Sequence, residues 1–460
     1  MRSAHILFTF FIVSCLYAIA VTNAGCAQIG FPTGGPRDSI APRLSNASPQ
    51  LNSTNVSGNK ITLTFNEYVE VKDPQTNVVI SPLPKRPPSV DFKLKTVTVK
   101  LKDSLLPNTT YSINFGNAIV DINEGNPLKD FTYVFSTGNQ IDSLSLTGKV
   151  IIAENGKSDS TLIAMLYRNT DDSAVLKRKP DYVAKLKGDG SFRFVNLPSD
   201  NFKVYALKDG DGGKTYNSKK ELFAFVDAPV TVSENTVLVT LYASALEKEK
   251  PASRSNTLNK KLSYTLGPNG QTQDLLTPFE LDFNNPLKIF EPEKLTLRDS
   301  NYKPVPAANW SIDSNRTKIT LTTTWQEGMQ YLLVMDTTAF ADAAGHRIAK
   351  LDTIRFTTKK TADYGNVVLR FSNIDMARHP VIQLVSGEEV KLSAPLTQTT
   401  WSNKLVPPGE YDIRILYDEN NNGQWDPGDY SRKKQPEKAV TLTQKLGVRA
   451  NWDNERDIKL

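Results

Sequence analysis

The feature that most constrains this chain is an internal repeat. One signature consists of Tyr111, Asp121, Gly125 and Phe135-Ser136-Thr137, and it returns about 220 residues later as Tyr331, Asp342, Gly345 and Phe356-Thr357-Thr358. The segment between the two copies is repeated as well, since Phe202, Val204 and Tyr205 before Asp209 are matched by Tyr411, Ile413 and Ile415 before Asp418. Self-similarity at a fixed spacing is typical of an array of modules. The chain is therefore predicted to have the order A-B-A-B, in four units of roughly 100 residues each.

Short alternating segments predict that these units are built from β-strands. Residues 60–65, 96–101 and 318–322 alternate polar and apolar side chains, which is the pattern of a half-buried strand. No amphipathic helical pattern extends beyond about two turns. The sequence therefore predicts an all-β protein, a tandem array of four antiparallel β-sandwiches. We expect four separate cores in series, each burying its own apolar face.

The amino terminus has the layout of an export signal. Arg2 precedes an apolar run from Ile6 to Ala20, and the small residues 23–25 lead into Cys26. We predict a signal peptide over 1–25, a lipid on Cys26 and an extended tether over 26–37. Cys15, inside the apolar run, is the alternative lipid site, and simple secretion is the third possibility. No second apolar stretch approaches the roughly 20 residues that cross a bilayer.

Cysteine content and charge exclude several classes of function. Cys15 and Cys26 are the only cysteines, so the exported part is predicted to have neither a disulfide nor thiol chemistry. The net charge is +6 over 460 residues, and the basic residues do not form blocks with interleaved aromatic residues. Nucleic acid is therefore not an expected partner.

Module one resembles a known family. Pro42, the strand FNEYV at 65–69, the segment 105–128 and the closing FSTG at 135–138 resemble the bacterial Ig-like domain first described in S-layer proteins. Together with Cys26 and the tether, they resemble Ig-like surface lipoproteins of the Bacteroidota. Module three resembles the same domain less closely, because Asn285 stands where module one has Glu67.

The B units resemble a second kind of sandwich. The segments 190–194, 197–198 and 202–209 in one unit, and 406–411 up to Asp418 in the other, resemble transthyretin-like or carboxypeptidase-regulatory-like modules. The predicted organisation is then module one at 38–140, module two at 141–246, a charged linker at 247–261, module three at 262–360 and module four at 361–460.

An acidic, asparagine-rich segment in module four is the sharpest chemical motif. In DENNNGQWDPGD, residues 418–429, the oxygen-bearing side chains and Gly423 follow the spacing of an EF-hand loop. The candidate calcium ligands are Asp418, Asn420, Asn422, Gln424 and Asp429. Position twelve is Asp rather than Glu, and the preceding segment reads as a strand. The alternative is a plain turn between two strands, with Trp425 and Tyr430 capping the core.

Catalytic motifs are weak by comparison. His346 and His379 have neither metal-ligand nor triad spacing. Glu67 is the best single candidate for an acid, although a role as a sheet-edge charge or a cross-strand partner is the favoured interpretation. Five tryptophans are candidates for sugar stacking or for core packing, namely Trp310, Trp325, Trp401, Trp425 and Trp452.

These observations lead to an expected function without catalysis. We expect a lipoprotein of the cell envelope, placed at the outer membrane, that acts as a spacer, an adhesin or an assembly component. Its expected partners are the membrane, through the amino-terminal lipid, and an envelope protein or glycan. Two alternatives remain: a glycan-binding surface module, and an enzyme that processes glycans with a carboxylate pair between modules.

Overall fold

The computed structural model describes residues 2–22, 37–168, 171–234, 238–247, 261–267, 270–305, 308–349 and 352–460. Helix α1 is Arg2–Thr22. Among the described residues, no helix combines the length and the apolar character needed to cross a membrane. Cys26, almost all of the predicted tether and most of the predicted linker lie outside the described residues.

Module one is built from nine strands. In chain order its elements are β1 (Leu44–Ser48), β2 (Lys60–Phe65), β3 (Val69–Val71), helix α2 (Pro74–Asn77), β4 (Val79–Ser81), β5 (Ser89–Lys93), β6 (Thr96–Lys100), β7 (Thr110–Gly116), β8 (Ile119–Asp121) and β9 (Phe131–Ser136). They form the sheets β1-β2-β6-β5 and β4-β7-β9 and the pair β3-β8. The sequence-predicted strands at 60–65 and 96–101 are confirmed to within one residue.

Module two is built from eight strands. They are β10 (Leu144–Ile152), β11 (Ile163–Tyr167), β12 (Tyr182–Lys185), β13 (Ser191–Leu197), β14 (Asp200–Leu207), β15 (Phe223–Phe225), β16 (Val230–Val232) and β17 (Val239–Ala243), with helix α3 (Ala174–Lys177) after β11. One sheet has the order β13-β10-β17 and the other β12-β11-β14-β15, with β16 also paired to β14.

Module three repeats the topology of module one. Its strands are β18 (Tyr264–Leu266), β19 (Thr272–Gln273), β20 (Phe279–Phe283), β21 (Leu287–Phe290), β22 (Leu295–Asp299), β23 (Asn309–Ile312), β24 (Lys318–Thr322), β25 (Gln330–Met335), β26 (Phe340–Asp342) and β27 (Asp352–Thr358), with 3-10 turns at Pro292–Lys294 and Thr337–Ala339. The sheets β18-β20-β24-β23 and β19-β27-β25-β22 and the pair β21-β26 correspond strand for strand to those of module one. The added strand β19 runs parallel to β27, where module one has a single parallel bridge from Ser53 to Phe135.

Module four repeats the topology of module two. Its strands are β28 (Gly365–Ser372), β29 (Pro380–Ser386), β30 (Glu389–Pro395), β31 (Thr400–Val406), β32 (Gly409–Tyr417), β33 (Lys438–Val448) and β34 (Asp453–Lys459), with 3-10 turns at Thr361–Asp363, Met376–Arg378 and Tyr430–Arg432. The sheets are β31-β28-β34 and β30-β29-β32-β33. The central strand β28 is parallel to β34, as β10 is parallel to β17. The predicted all-β tandem array of four sandwiches is confirmed, although its sheets are not purely antiparallel.

The alternation of side chains along the strands produces the cores. In β2, Ile61, Leu63 and Phe65 are buried while the residues between them are not, as a period of two requires. The same alternation gives each module one main apolar cluster between its sheets. Burial of apolar surface at about 25 cal/mol per Å² is the main stabilising contribution in each module.

The repeated tyrosine and threonine of the signature fasten the long loop before β7 and β25. The Tyr111 hydroxyl accepts a hydrogen bond from Leu106 N at 2.8 Å, and the Tyr331 hydroxyl accepts one from Gln326 N at 3.2 Å. In both copies the closing threonine hydroxyl donates to the carbonyl of that same loop residue, at 2.7 Å in module one and 2.5 Å in module three. The repeated tyrosine and threonine thus have the same structural role in both modules.

The repeated aspartate anchors a turn in the same way. Asp121 is buried, and its carboxylate accepts hydrogen bonds from the backbone N–H groups of residues 124, 125 and 126 at 2.6, 3.0 and 2.8 Å. The equivalent Asp342 accepts from the backbone N–H groups of residues 344 and 346 at 3.0 and 2.9 Å. Burial acts to raise the pKa of both carboxyls. Hydrogen bonds outweigh burial and lower both pKa values, mainly those from the backbone N–H groups for Asp121 and those with the side chains of Asn285 and His346 for Asp342.

The expectation of four separate cores is wrong at one place. A fifth apolar cluster contains residues of β11, helix α3, β14 and β15 in module two together with Tyr430 of module four. The B units are therefore packed against each other through a shared core, although a whole A unit separates them in sequence.

Replacing the turn-anchoring aspartate by alanine is expected to destabilise the module that contains it. Asp121→Ala or Asp342→Ala removes the acceptor from partly buried backbone N–H groups of the turn, which costs about 1–3 kcal/mol. Hydrogen exchange on the full chain is expected to show lost protection at β8 for the first variant and at β26 for the second. Asp91→Ala, which removes an exposed carboxylate from β5, is the control. Equal exchange in variant and parent would contradict the anchoring role.

Candidate functional site

The acidic segment of module four forms the loop between β32 and β33, residues 418–437. Asp418 is only 1% exposed, and its two carboxylate oxygens accept hydrogen bonds from Asn422 N at 3.1 Å and Gly423 N at 2.6 Å. Gly423 has a φ of 77°, a conformation that glycine adopts without strain. Asp418 therefore closes the first turn of the loop onto itself.

The two candidate asparagines continue this turn and connect it to a residue that spacing did not select. Asn420 Oδ1 accepts from Asn422 N at 3.1 Å, and its Nδ2 donates to Asp426 at 2.6 Å. Asn422 Nδ2 donates to the other oxygen of Asp426 at 3.5 Å. Lys434 also bonds to Asp426 at 3.0 Å, and this hydrogen bond is the main reason why the pKa of Asp426 is lowered. Asp426 thus accepts hydrogen bonds from three side chains of the loop.

A second residue that sequence reasoning missed is Glu437, the last residue of the loop. It is buried, and its carboxylate accepts from Glu419 N and Asp426 N, both at 3.0 Å. Its backbone carbonyl accepts from the Trp425 indole at 2.8 Å. Burial raises the pKa of Glu437, and the negative charges of Asp418 and Asp426 raise it further. The loop therefore brings Asp418, Asp426 and Glu437 within electrostatic reach of one another.

The remaining candidate ligands are placed differently. Asp429 caps the 3-10 turn Tyr430–Arg432, since its Oδ1 accepts from Ser431 N at 2.9 Å and from the Ser431 hydroxyl at 2.6 Å. Gln424 donates its backbone N–H to Asn422 Oδ1 at 2.7 Å. Hydrogen bonds connect Asp418, Asn420, Asn422 and Gln424 within the first turn, whereas Asp429 accepts its hydrogen bonds in the next turn.

Calcium binding by this loop stays a prediction. Within the described parts of the chain, no group of three or more His, Cys, Asp or Glu side chains has the arrangement to hold a metal ion. The oxygens that could bind a cation together are those of Asp418, Asn420, Asn422 and Asp426, a mixture of carboxylates and amides of the kind that a hard cation prefers.

The same loop carries the side chain that joins the two B units. Tyr430 is 8% exposed and packs edge-on against Tyr205, Phe223 and Phe225 of module two, at ring separations of 5.8, 5.3 and 5.1 Å. Its hydroxyl donates to Asp172 O at 2.8 Å and lies 2.9 Å from the Tyr205 hydroxyl. Because the Tyr430 proton is used, Tyr205 is the donor between them. Burial raises the pKa of Tyr205 well above its usual range. The plain-turn interpretation expected Tyr430 to cap the core of module four. Its ring instead packs in module two.

Backbone and side-chain contacts extend this junction along both modules. Ala439 N donates to Ala153 O at 2.8 Å, and Gly428 N donates to the Ser244 hydroxyl at 2.9 Å. Gln435 donates to Asp227 at 2.8 Å. We refer to Tyr430 and the module-two residues that surround it as the aromatic clasp.

Glu67 and its counterpart show how the A units differ. In module three the buried Asn285 donates its amide N–H to Asp342 at 2.8 Å, and His346 Nδ1 lies 2.9 Å from the same Asp342 oxygen. In module one the carboxyl of Glu67 takes the place of the Asn285 amide. Burial raises the pKa of Glu67, and the nearby charges of Asp121 and Asp38 raise it further. Glu67 and the repeated aspartate are thus neighbours in a structural turn. His379 is exposed and lies apart, at the end of another turn.

Most of the tryptophans are packed. Trp325 and Trp401 are buried, and Trp310 packs against the core of module three. Trp425 is held by its bond to Glu437. Trp452 is 60% exposed, with Arg449 over its ring. A stacking platform of several exposed tryptophans, which would favour sugar binding, is not formed by these five residues.

Comparison with known families agrees with this architecture. The bacterial Ig-like domain matches residues 38–137 and 257–358, so the chain is similar to that family over modules one and three. Together these segments are less than half of the chain. No curated protein matches the chain.

The solved structures that match this chain are only distantly similar to it. BcpA, the major pilin subunit of Bacillus cereus, is 13% identical over 68% of this chain and 99% of its own, with a TM-score of 0.16. The TIE protein of Bacillus anthracis is 11% identical over 93% of this chain and 76% of its own, with a TM-score of 0.17. The S-layer protein SbsC is 13% identical over 91% of this chain and 54% of its own, with a TM-score of 0.16. At these scores the similarities carry no argument about function.

Removing the Tyr430 ring is expected to loosen the aromatic clasp. Tyr430→Ala should cost about 3–5 kcal/mol, because truncating a buried aromatic ring leaves a cavity among its neighbours. Tyr430→Phe keeps the ring and should cost only about 1–2 kcal/mol. Hydrogen exchange in β11, β14 and β15 measures both effects in the full chain. Tyr68→Ala, at an exposed tyrosine of module one, is the control, and unchanged exchange in the alanine variant would refute the clasp.

Calcium is expected to slow hydrogen exchange in residues 418–437, since a cation would tie together the oxygens of the first turn. An affinity on the order of 10⁻⁴ to 10⁻³ M is typical of extracellular modules, so millimolar calcium is compared with a chelator. Asp418→Asn should weaken the effect. Identical exchange in calcium and chelator would show that the loop is a plain turn.

Proposed function

We propose that this protein is a non-catalytic component of the cell envelope, held at the membrane by a lipid on Cys26, that serves as a stiff modular spacer or assembly component. The aromatic clasp is the observation that carries the proposal. It fixes module four against module two, so that four sandwiches behave as one body rather than as beads on a flexible chain.

Two further junctions, one between modules one and two and one between modules three and four, support the same stiffness. Between modules one and two, Leu83 N donates to Asp181 O at 2.7 Å. Between modules three and four, the Tyr364 hydroxyl accepts from Leu275 N at 2.8 Å, and Glu327 accepts from Thr361 N at 2.6 Å. Each junction is therefore held by bonds across the module boundary, a suitable construction for a spacer.

A non-catalytic role fits the use that the fold makes of its carboxylates. Asp121 and Asp342 anchor turns, and Asp418 and Glu437 accept backbone hydrogen bonds within one loop. In each case the carboxylate accepts backbone N–H groups and so stabilises a turn or loop. We further propose that modules two and four are transthyretin-like sandwiches and that the protein belongs to the outer-membrane lipoproteins of the Bacteroidota. Loops at the ends of the sandwiches would make the contact with an envelope partner.

The anchor is tested by substituting each cysteine in turn. Cys26→Ala is expected to abolish palmitate labelling and to release the protein from the membrane fraction, because the acyl chains provide the membrane affinity. Cys15→Ala, inside helix α1, is the matched control and is expected to retain both. Membrane retention and labelling that persist in Cys26→Ala and disappear in Cys15→Ala would move the anchor to Cys15. Retention without labelling in the parent chain would reject lipidation.

A further inference from the structure

A cleft of about 640 Å³ lies between modules one and two. Strand β12 lies against β4, and β13 lies against β7, so the sheet β4-β7-β9 of module one faces one strand from each sheet of module two across the cleft. Clefts of this size at module boundaries are common places for ligands.

The period of the strands determines which side chains line the cleft. In β13, Phe192 and Phe194 point into the core of module two, so Arg193 and Val195 are left for the cleft. In β7, Ile113 and Phe115 belong to the core of module one, and Ser112 and Asn114 are on the opposite face. Most of the lining residues thus belong to neither core, while Phe115, Phe192 and Phe194 border the cleft from the cores.

Positive charge dominates the lining. The charged side chains are four cations and one carboxylate, namely Lys72, Lys185, Lys187, Arg193 and Asp130. Lys72 is paired with Glu70, whereas Lys185 reaches across the cleft to Asn77 of module one at 3.5 Å. Desolvation lowers the pKa of Lys185. A bound anion would offset this desolvation by restoring a partner to the ammonium group.

The uncharged part of the lining is suited to hydroxyl groups and to the faces of sugar rings. The carboxamide oxygens of Asn114 and Asn117 accept from the backbone at 2.7 and 3.2 Å, so their NH₂ groups are the ends suited to donate to a ligand. Hydroxyls of serine and threonine lie beside them, and Val79 and Val183 provide apolar surface. Amides, hydroxyls and a small apolar area together are suited to a polyhydroxylated ligand.

We propose that the cleft between modules one and two binds an acidic oligosaccharide, a short chain of sugars that carry carboxylates. Lys185, Lys187 and Arg193 bind the carboxylates, and the amides and hydroxyls of module one bind the sugar hydroxyls. This site is independent of the lipid anchor and of the aromatic clasp, because none of its lining residues belongs to the amino-terminal segment or to the clasp.

Isothermal titration of the full chain in detergent tests the proposal with three probes of similar length. Tetragalacturonate is expected to bind, and its affinity to fall as salt rises. Maltotetraose, which is neutral, and tetraglutamate, which is acidic but not a sugar, are each expected to bind at least about tenfold more weakly. Equal binding of tetraglutamate would show a general anion site and overturn the sugar assignment. No binding of tetragalacturonate would overturn the site.

Charge-removing variants locate the binding. Lys185→Ala/Arg193→Ala is expected to lower the affinity for tetragalacturonate by about tenfold or more, since charge-assisted hydrogen bonds are lost. Lys60→Ala/Lys100→Ala removes an exposed cross-strand pair from the other sheet of module one and should leave the affinity unchanged. An equal loss in both double variants would assign the effect to net charge and reject the cleft. If the double variant unfolds at a lower temperature than the parent chain, the affinity for tetragalacturonate is measured with Lys185→Gln, which keeps most of the side-chain length.

Discussion

The buried phenol of Tyr430 is the contact on which the arrangement of the whole chain depends. It enters a ring of aromatic side chains in module two, and its hydroxyl links Tyr205 to the backbone of Asp172. The loop that carries it is rigid because its carboxylates accept the loop's own N–H groups. A satisfied polar network of this kind fixes one geometry, since any displacement would leave buried groups without partners. Tyr430 and its loop thus set the contact with module two, and the hydrogen bond from Ala439 N to Ala153 O extends this contact along β33.

Much of the fold could be predicted from local patterns, and the site much less. The alternation at 60–65 and the repeated signature were sufficient to predict strands and paired modules, because both depend on neighbouring residues. Tyr430 and Tyr205 are 225 residues apart, and no local pattern marks such a pair. Spacing selected Asp429 as a ligand, but Ser431 offers it two hydrogen bonds nearby. Glu437 was missed because it lies beyond the end of the motif, and only folding brings its carboxylate to the N–H groups of Glu419 and Asp426.

Repeated and unrepeated residues have different roles in this molecule. The repeated Tyr111 and Asp121, with their partners in module three, fasten loops and turns. Glu67 and Asn285 occupy one position in the repeat, and the change from carboxyl to amide allows Asn285 to donate to its aspartate. The loop that begins at Asp418 has a counterpart that begins at Asp209, but Asp211 and Gly213 stand there in place of Asn420 and Asn422. In a duplicated array, the positions that differ between copies are thus the ones in which function is to be sought.

The clasp is one-sided. Module two has its own aromatic residue in the corresponding loop, Tyr216, but that ring stacks on Phe223 of the same module at 4.1 Å. Module four therefore inserts a side chain into module two without receiving one in return. Contacts of this head-to-tail kind do not close on themselves. The series cannot continue on module four either, because Arg414, Thr441 and Ala439 stand there at the paired positions that Tyr205, Phe225 and Phe223 hold in module two. The clasp is therefore specific to the contact between modules two and four.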